Sequence, residues 1–258
     1  MVEREIVETA GAGSIRIFVT RPEQAGRRYP LCVLLMDAPG YRDELKAMAR
    51  RLGTAGYAVA LPDLYHRSIA AAVAPDPQRL ADDAPDRREV IYRHMHQVNL
   101  KSATEDLRAV FAAVTDDPQI DAERVGLFGY CMSGPLALGL APVFGDVVRA
   151  AASIHGVRLF HSGAESPHRR LPGTSVECYI ACAEQDDWAP PGLIAALGRW
   201  LTRAGVAHHI DWYPGTQHGF VFPLRAGLYD EPAAERHWAA LNDLFERALK
   251  GRAVTAQG

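Results

Sequence analysis

The sequence predicts an α/β fold, a mostly parallel sheet with helices on both faces, and three observations predict it. Apolar runs of strand length alternate with segments whose apolar residues recur at helical spacing, the rhythm of repeated βα units. Several of those runs are continuously apolar, as expected of strands covered on both faces. The chain has 258 residues, 48% of them hydrophobic, enough to bury one large core. A single domain over residues 1–258 is therefore expected.

Taken in order, Glu5 to Glu8 and Ser14 to Thr20, separated by Ala10-Gly11-Ala12-Gly13, read as an opening hairpin. Leu31 to Met36 is the first continuous apolar run and ends at Asp37-Ala38-Pro39-Gly40. Leu45, Met48, Ala49 and Leu52 keep i, i+3, i+4, i+7 spacing, Gly53 and Gly56 close that helix, and Tyr57 to Leu61 is a further buried strand. Leu107, Val110, Phe111 and Val114 form the stripe of another helix, followed by the strand Val125-Gly126-Leu127-Phe128 and a helix from Met132. Val147 to Ile154 and Val176 to Ala181 are two more strands. Ile194, Leu197 and Leu201 mark a helix, His209 to Tyr213 the last strand, and Trp238, Leu241, Phe245 and Leu249 a closing helix. Two Pro-containing excursions, at about 68–100 and 157–175, interrupt this rhythm and read as rims or lids over one sheet edge.

Composition excludes several function classes. The net charge of −3 and the lack of a basic block argue against nucleic acid and anionic membranes as partners. No stretch reaches the ~18 apolar residues of a membrane span, and the mixed-charge start Met1-Val2-Glu3-Arg4-Glu5 is not a leader, so a cytoplasmic protein is expected. Cys32, Cys131, Cys178 and Cys182 are too few and too scattered for a disulfide scaffold. His94 and His96, or His208 and His209, make no chelating face, so no metal is expected. The expected partner is a small molecule, bound by a monomer or homodimer.

One motif carries chemistry. Gly129-Tyr130-Cys131-Met132-Ser133-Gly134 follows an apolar strand, so a cysteine stands where strand turns sharply into helix. Such a nucleophile elbow needs little side chain two positions before and after its nucleophile, and Gly129 and Ser133 meet that need. Ligands of open parallel sheets bind beyond the carboxyl ends of strands. Asp37, Cys131, Asp186 and His218 all lie just after strands, and the last three run nucleophile, acid, histidine in chain order. Glu184 and Asp187 compete with Asp186 for the acid's place. Imidazole would take the thiol proton and later protonate the leaving alkoxide, while the carboxylate fixes its tautomer. The elbow nominates the backbone N–H groups of Met132 and Ala38 as an oxyanion hole, since Pro39 has none.

With those residues in place, the chain resembles the dienelactone hydrolase family of α/β-hydrolases. The matching segments are Met36-Asp37-Ala38-Pro39-Gly40, Gly56-Tyr57 with Leu61-Pro62-Asp63-Leu64-Tyr65-His66-Arg67, Gly126 to Cys131, Gln185-Asp186 with Pro190, and Tyr213-Pro214-Gly215 with His218-Gly219-Phe220. The resemblance implies the α/β-hydrolase fold with an eight-stranded sheet, no cofactor, and Cys131, Asp186 and His218 as the triad. It also implies that Asp37 holds the resting cysteine, in a place where the family commonly has glutamate. Of the two arginines that members acting on dienelactone use to grip its carboxylate, Arg88 could be one, but Phe222 stands where the second is expected. Ser133 replaces a usual glycine.

Tyr92, Trp188, Phe220 and Phe222 are further candidates for a substrate wall. His155, in Ile154-His155-Gly156, could line the pocket but reads as a strand-end histidine bonded to backbone, and is left out of the catalytic set. The expected activity is cofactor-independent hydrolysis of a lactone or small ester through a cysteinyl acyl-enzyme. Carboxymethylenebutenolidase activity on dienelactone itself is the alternative of the same chemistry. A hydrolase-fold protein that binds a small ligand without turnover is the alternative of another class.

Overall fold

A computed structural model describes residues 1–11, 13–68 and 85–251, the side chains of 85–88 excepted. Eight strands and the helices between them make a mixed α/β sheet fold, in two compact units, residues 1–122 and 123–258. No described helix is long and apolar enough to cross a membrane.

The first unit opens with the expected hairpin. β1 (Val2–Ala10) pairs antiparallel with β2 (Gly13–Arg21), and β1 alternates half-buried and exposed residues as a strand with one wet face does. β3 (Tyr29–Leu35) and β4 (Ala58–Pro62) are buried at every position and pair in parallel, Leu31 opposite Ala58. The apolar side chains of Leu31, Val33, Leu34 and Leu35 are each worth roughly 1.5–3 kcal/mol on full burial, which is why an uninterrupted apolar run belongs there. α1 (Asp43–Thr54) makes the crossover and buries Leu45, Met48, Ala49 and Leu52, the stripe that spacing predicted. β2 also pairs antiparallel with β4, which makes the sheet mixed. α2 (Pro85–Met95) and α3 (Leu100–Val114) complete this unit. Asn99 and Ser102 form a reciprocal capping box at the start of α3. The first part of the excursion expected from about residue 68, residues 69–84, lies outside the described residues.

The second unit is wholly parallel, in the order β5-β6-β7-β8. β5 (Ile120–Tyr130) runs into a 3₁₀ turn at Cys131–Ser133 and then α4 (Gly134–Leu140). β6 (Val148–Ile154) and β7 (Glu177–Gln185) flank the second excursion, whose only regular piece among the described residues is the 3₁₀ turn Pro167–Arg170. α5 (Pro191–Arg203), β8 (His208–Gln217) and α6 (Glu231–Lys250) finish the chain, with Asp230 capping α6 through the Ala233 N–H and Gly251 ending it in the left-handed region.

Candidate active site

The elbow is visible in the backbone. Cys131 has φ +52°, a conformation non-glycine residues rarely adopt, and it is held there by close packing of the turn on itself. A Cβ at Gly129 would lie 2.2 Å from the Ser133 carbonyl oxygen, and one at Gly134 would lie 2.3 Å from Ser153 Oγ. Side chains at either position would force the turn open. Ser133 itself is fully buried, whereas Cys131 keeps partial exposure, as a reacting sulfur must. Cys32, Cys178 and Cys182 are buried, and burial pushes the thiols of Cys178 and Cys182 up to about 12, so neither is a nucleophile at neutral pH.

Strand register brings the acid and the histidine together. β7 and β8 pair regularly from Cys178 and His208 to Ala183 and Tyr213, then shift and resume at Gln185 and Gln217. Pro214, which has no N–H to give the ladder, and Gly215, at φ +75°, occupy the bulge between. The Gly215 N–H donates to the Glu184 carboxylate at 2.8 Å, and Thr216 Oγ1 donates to the Tyr213 carbonyl at 2.7 Å. With Gln185 beside Gln217, the next residue on each strand is Asp186 and His218, and Nδ1 of His218 lies 2.8 Å from Asp186 Oδ2. Asp186 Oδ1 accepts the Trp188 N–H at 3.0 Å, which fixes the carboxylate plane. Glu184 serves the bulge and Asp187 is exposed, so among the three acids only Asp186 meets the imidazole.

His218 hydrogen-bonds to Asp186 on one side and the Cys131 sulfur on the other. Burial alone would depress its pKa. The hydrogen bond to Asp186, then that to Cys131 and the charge attraction of both, outweigh burial and push it up to about 9. With Nδ1 taken by the carboxylate, Nε2 is the nitrogen left to serve the sulfur. The chain acid–imidazole–thiol can pass a proton from sulfur to ring and stabilise the resulting imidazolium. No cluster of three or more His, Cys, Asp or Glu among the described residues is placed to hold a metal ion.

The profile of the Dienelactone hydrolase family matches residues 15–249. The chain belongs to the dienelactone hydrolase family. It is 28% identical to the carboxymethylenebutenolidase of Rhodococcus opacus over 226 residues, 84% of this chain and 81% of that one. It is also 28% identical to the carboxymethylenebutenolidase of Pseudomonas putida over 209 residues, 80% of each chain. A solved dienelactone hydrolase-like promiscuous phosphotriesterase from metagenomic libraries superposes with a TM-score of 0.72 at 22% identity, covering 96% of this chain and 98% of that one, a likeness of fold.

The remaining predicted residues of this dienelactone hydrolase family member fall in varied places. Asp37 is fully buried and paired in two-pronged fashion with the buried guanidinium of Arg42, which also reaches the Gly40 carbonyl at 3.1 Å and Glu44. Sequence reasoning missed Arg42, although a cation five residues beyond a buried acid was its signal. Ala38 gives its carbonyl to the Tyr65 hydroxyl at 2.8 Å, and Met132 is buried in the elbow turn. Tyr92 and Trp188 are exposed. The side chain of Arg88 lies outside the described residues.

Phe220 and Phe222, expected as substrate wall, are fully buried, which corrects that expectation: they present no surface and pack instead among Tyr130, His155 and Tyr213. The guanidinium that does lie nearby is Arg225, 4.6 Å from the Phe222 ring centre. A Cβ at Gly219 would lie 2.4 Å from Arg225 Nη1, so glycine next to His218 makes room for it. His155 departs from expectation too. Its ring is fully buried, and neither nitrogen has a hydrogen-bond partner among the described residues.

Proposed function

We propose that this family member hydrolyses a lactone or small carboxylic ester through a cysteinyl acyl-enzyme, with Cys131 as nucleophile, His218 as general base and acid, and Asp186 orienting the imidazole. The observation that carries the reading is the left-handed elbow cysteine hydrogen-bonded to an imidazole whose far nitrogen is held by a buried carboxylate. Below a pH of about 9 the His218 ring already holds the proton that Cys131 gives up, and sulfur attacks the carbonyl carbon. The Met132 N–H receives the oxyanion of the tetrahedral intermediate. Its collapse expels the alkoxide, which takes its proton from the imidazolium. Water, deprotonated by the same ring, then cleaves the thioester, and the sulfur leaves beside the restored imidazolium.

The test is a screen of lactones and short aryl esters against wild type and Cys131→Ala, the variant expected to keep its fold and lose about 10⁴-fold or more in kcat/KM. Wild-type turnover by that variant would overturn the assignment. Folded wild-type protein that takes up ligands with no turnover would establish the binding-protein alternative instead.

A second reading, hydrolysis of a carboxymethylenebutenolide, is favoured by Arg225 and by the names of the relatives. The guanidinium stands beside the glycine that follows the histidine, where a substrate carboxylate could meet a charge-assisted hydrogen bond. Under this reading Arg225→Gln lowers kcat/KM for the anionic lactone by about tenfold and leaves neutral esters unchanged. Equal losses on both substrates would refute it.

A further inference from the structure

Three described residues other than glycine have positive φ, and two of them are in the site: Cys131 and His155, the latter at +38°. Backbone strain of this kind persists only where the surroundings impose it. At His155 they do so from two sides. Its N–H donates to the Ala181 carbonyl at 2.8 Å, and two residues on the Val157 N–H donates to the carbonyl of Cys131 at 3.2 Å, so the turn after β6 is tied both to β7 and to the elbow. The His155 ring is thereby driven against the catalytic imidazole, the two ring centres 4.7 Å apart and the planes at 67°.

Other aromatic rings and cationic groups surround that ring among the described residues. Tyr130 approaches from β5 at 5.8 Å, Phe220 and Phe222 from the segment after β8 at 6.0 and 5.6 Å. The titratable and charged groups facing it are His218 and Arg225 from that segment, His237 from α6 and the Tyr130 hydroxyl. His237 is committed elsewhere: it donates from Nδ1 to the Ala234 carbonyl at 2.6 Å, and its Nε2 accepts from the Tyr130 hydroxyl at 3.1 Å. His155 is not. Burial first, and then repulsion from His218 and Arg225, holds its pKa well below the ordinary 6.5, so it stays neutral.

If packing were the whole purpose, phenylalanine would fill this place without burying two unpaired nitrogens, an arrangement that calls for an explanation. We infer that His155 is a positioning residue for the proposed triad: a neutral imidazole that braces the His218 ring and stabilises its imidazolium form. A neutral imidazole has one nitrogen with a free lone pair and one bearing a proton. No partner among the described residues fixes which is which, so the proton settles on the nitrogen farther from the positive charge and the lone pair turns toward it. In the dry interior that dipole is felt strongly. The imidazolium is the form that protonates the leaving alkoxide.

This inference rests on the cysteine–histidine reading above, and one experiment separates their failures. The pH profile of kcat/KM for a neutral aryl ester is measured on wild type and on His155→Phe, which keeps ring and volume but has no lone pair. Wild type should lose activity on the alkaline side as His218 deprotonates near 9. In His155→Phe that limb should move down by about one pH unit, a tenfold loss of imidazolium stability, with KM unchanged. A residue that only packs would lower the fraction of folded enzyme and leave the limb where it is. An unmoved limb overturns the role of His155 alone, whereas no alkaline limb in wild type overturns the triad reading and this inference with it. Imidazole ¹⁵N spectra of wild type give a second readout that needs no variant. His155 should be neutral at pH 7 and its resonances should shift as His218 titrates; a cationic His155, or one indifferent to that titration, refutes the inference.

Discussion

Among the described residues, two buried carboxylates each meet an imidazole at nearly equal distance, and the pairs differ in what the other end of the imidazole meets. In the first unit His66 Nε2 lies 2.9 Å from Asp106 Oδ1; in the second His218 Nδ1 lies 2.8 Å from Asp186 Oδ2. Asp106 also pairs with Arg67 at 2.8 Å, and the remaining nitrogen of His66 is buried with no hydrogen-bond partner among the described residues. Among the described residues Asp186 accepts a backbone N–H besides meeting its histidine, and that histidine faces a cysteine on a strained turn. A carboxylate–imidazole contact is therefore not by itself a catalytic signature. The arginine makes the first pair an ion-pair network that ties α3 to the segment after β4, and in the proposed mechanism the elbow makes the second a path for a proton.

The sharpest way to break this comparison is to make the same substitution in both pairs. Asp186→Asn should lower kcat/KM per folded molecule by about 10²–10⁴-fold, because the amide holds the wrong tautomer. Asp106→Asn should leave kcat/KM per folded molecule near wild type and lower stability by about 1 kcal/mol, since exposed Arg67 loses one partner and keeps Glu105. Equal kinetic losses in the two variants would erase the distinction.

A smaller effect is expected in the dependence of stability on pH. His218 is held above its ordinary 6.5 in the folded protein, so its contribution to stability is complete below that pH and is lost as pH rises through about 9. Denaturant titrations of wild type should show this decline between pH 6.5 and 9, and His218→Gln should flatten it. A wild-type curve no steeper than the variant's would contradict the charged pairing in the second unit. The smallest effect concerns the neighbour: exposed Asp187→Asn should change kcat/KM by no more than about twofold, and a loss matching that of Asp186→Asn would reassign the acid.

What could be read from sequence divides along physical lines. The buried strands β3 and β4 and the α1 stripe were legible because burial of whole faces leaves a periodic trace. The elbow was legible because steric exclusion at Gly129 demands a particular residue. Asp186 was named ahead of Glu184 and Asp187, but what sets it beside His218 is a register shift between β7 and β8 at Pro214 and Gly215 that the string does not show. Phe222 was read as a loop residue at a recognition position, but the loop folds inward and buries it, so Phe222→Arg would bury a charge rather than add a substrate contact. That neither ring nitrogen of His155 finds a hydrogen-bond partner among the described residues could not be foreseen, because an unpaired nitrogen leaves no mark in sequence.

The most direct test of a cysteine nucleophile is to trap the acyl-enzyme. Wild-type protein mixed with an excess of a slowly deacylating aryl ester, quenched in acid during the first turnover and digested, should carry one acyl group on the peptide containing Cys131. Cys131→Ala should carry none, and release of the phenol should show a burst equal to the enzyme concentration. An acyl group on Ser133, or steady turnover with no labelled peptide, would contradict it.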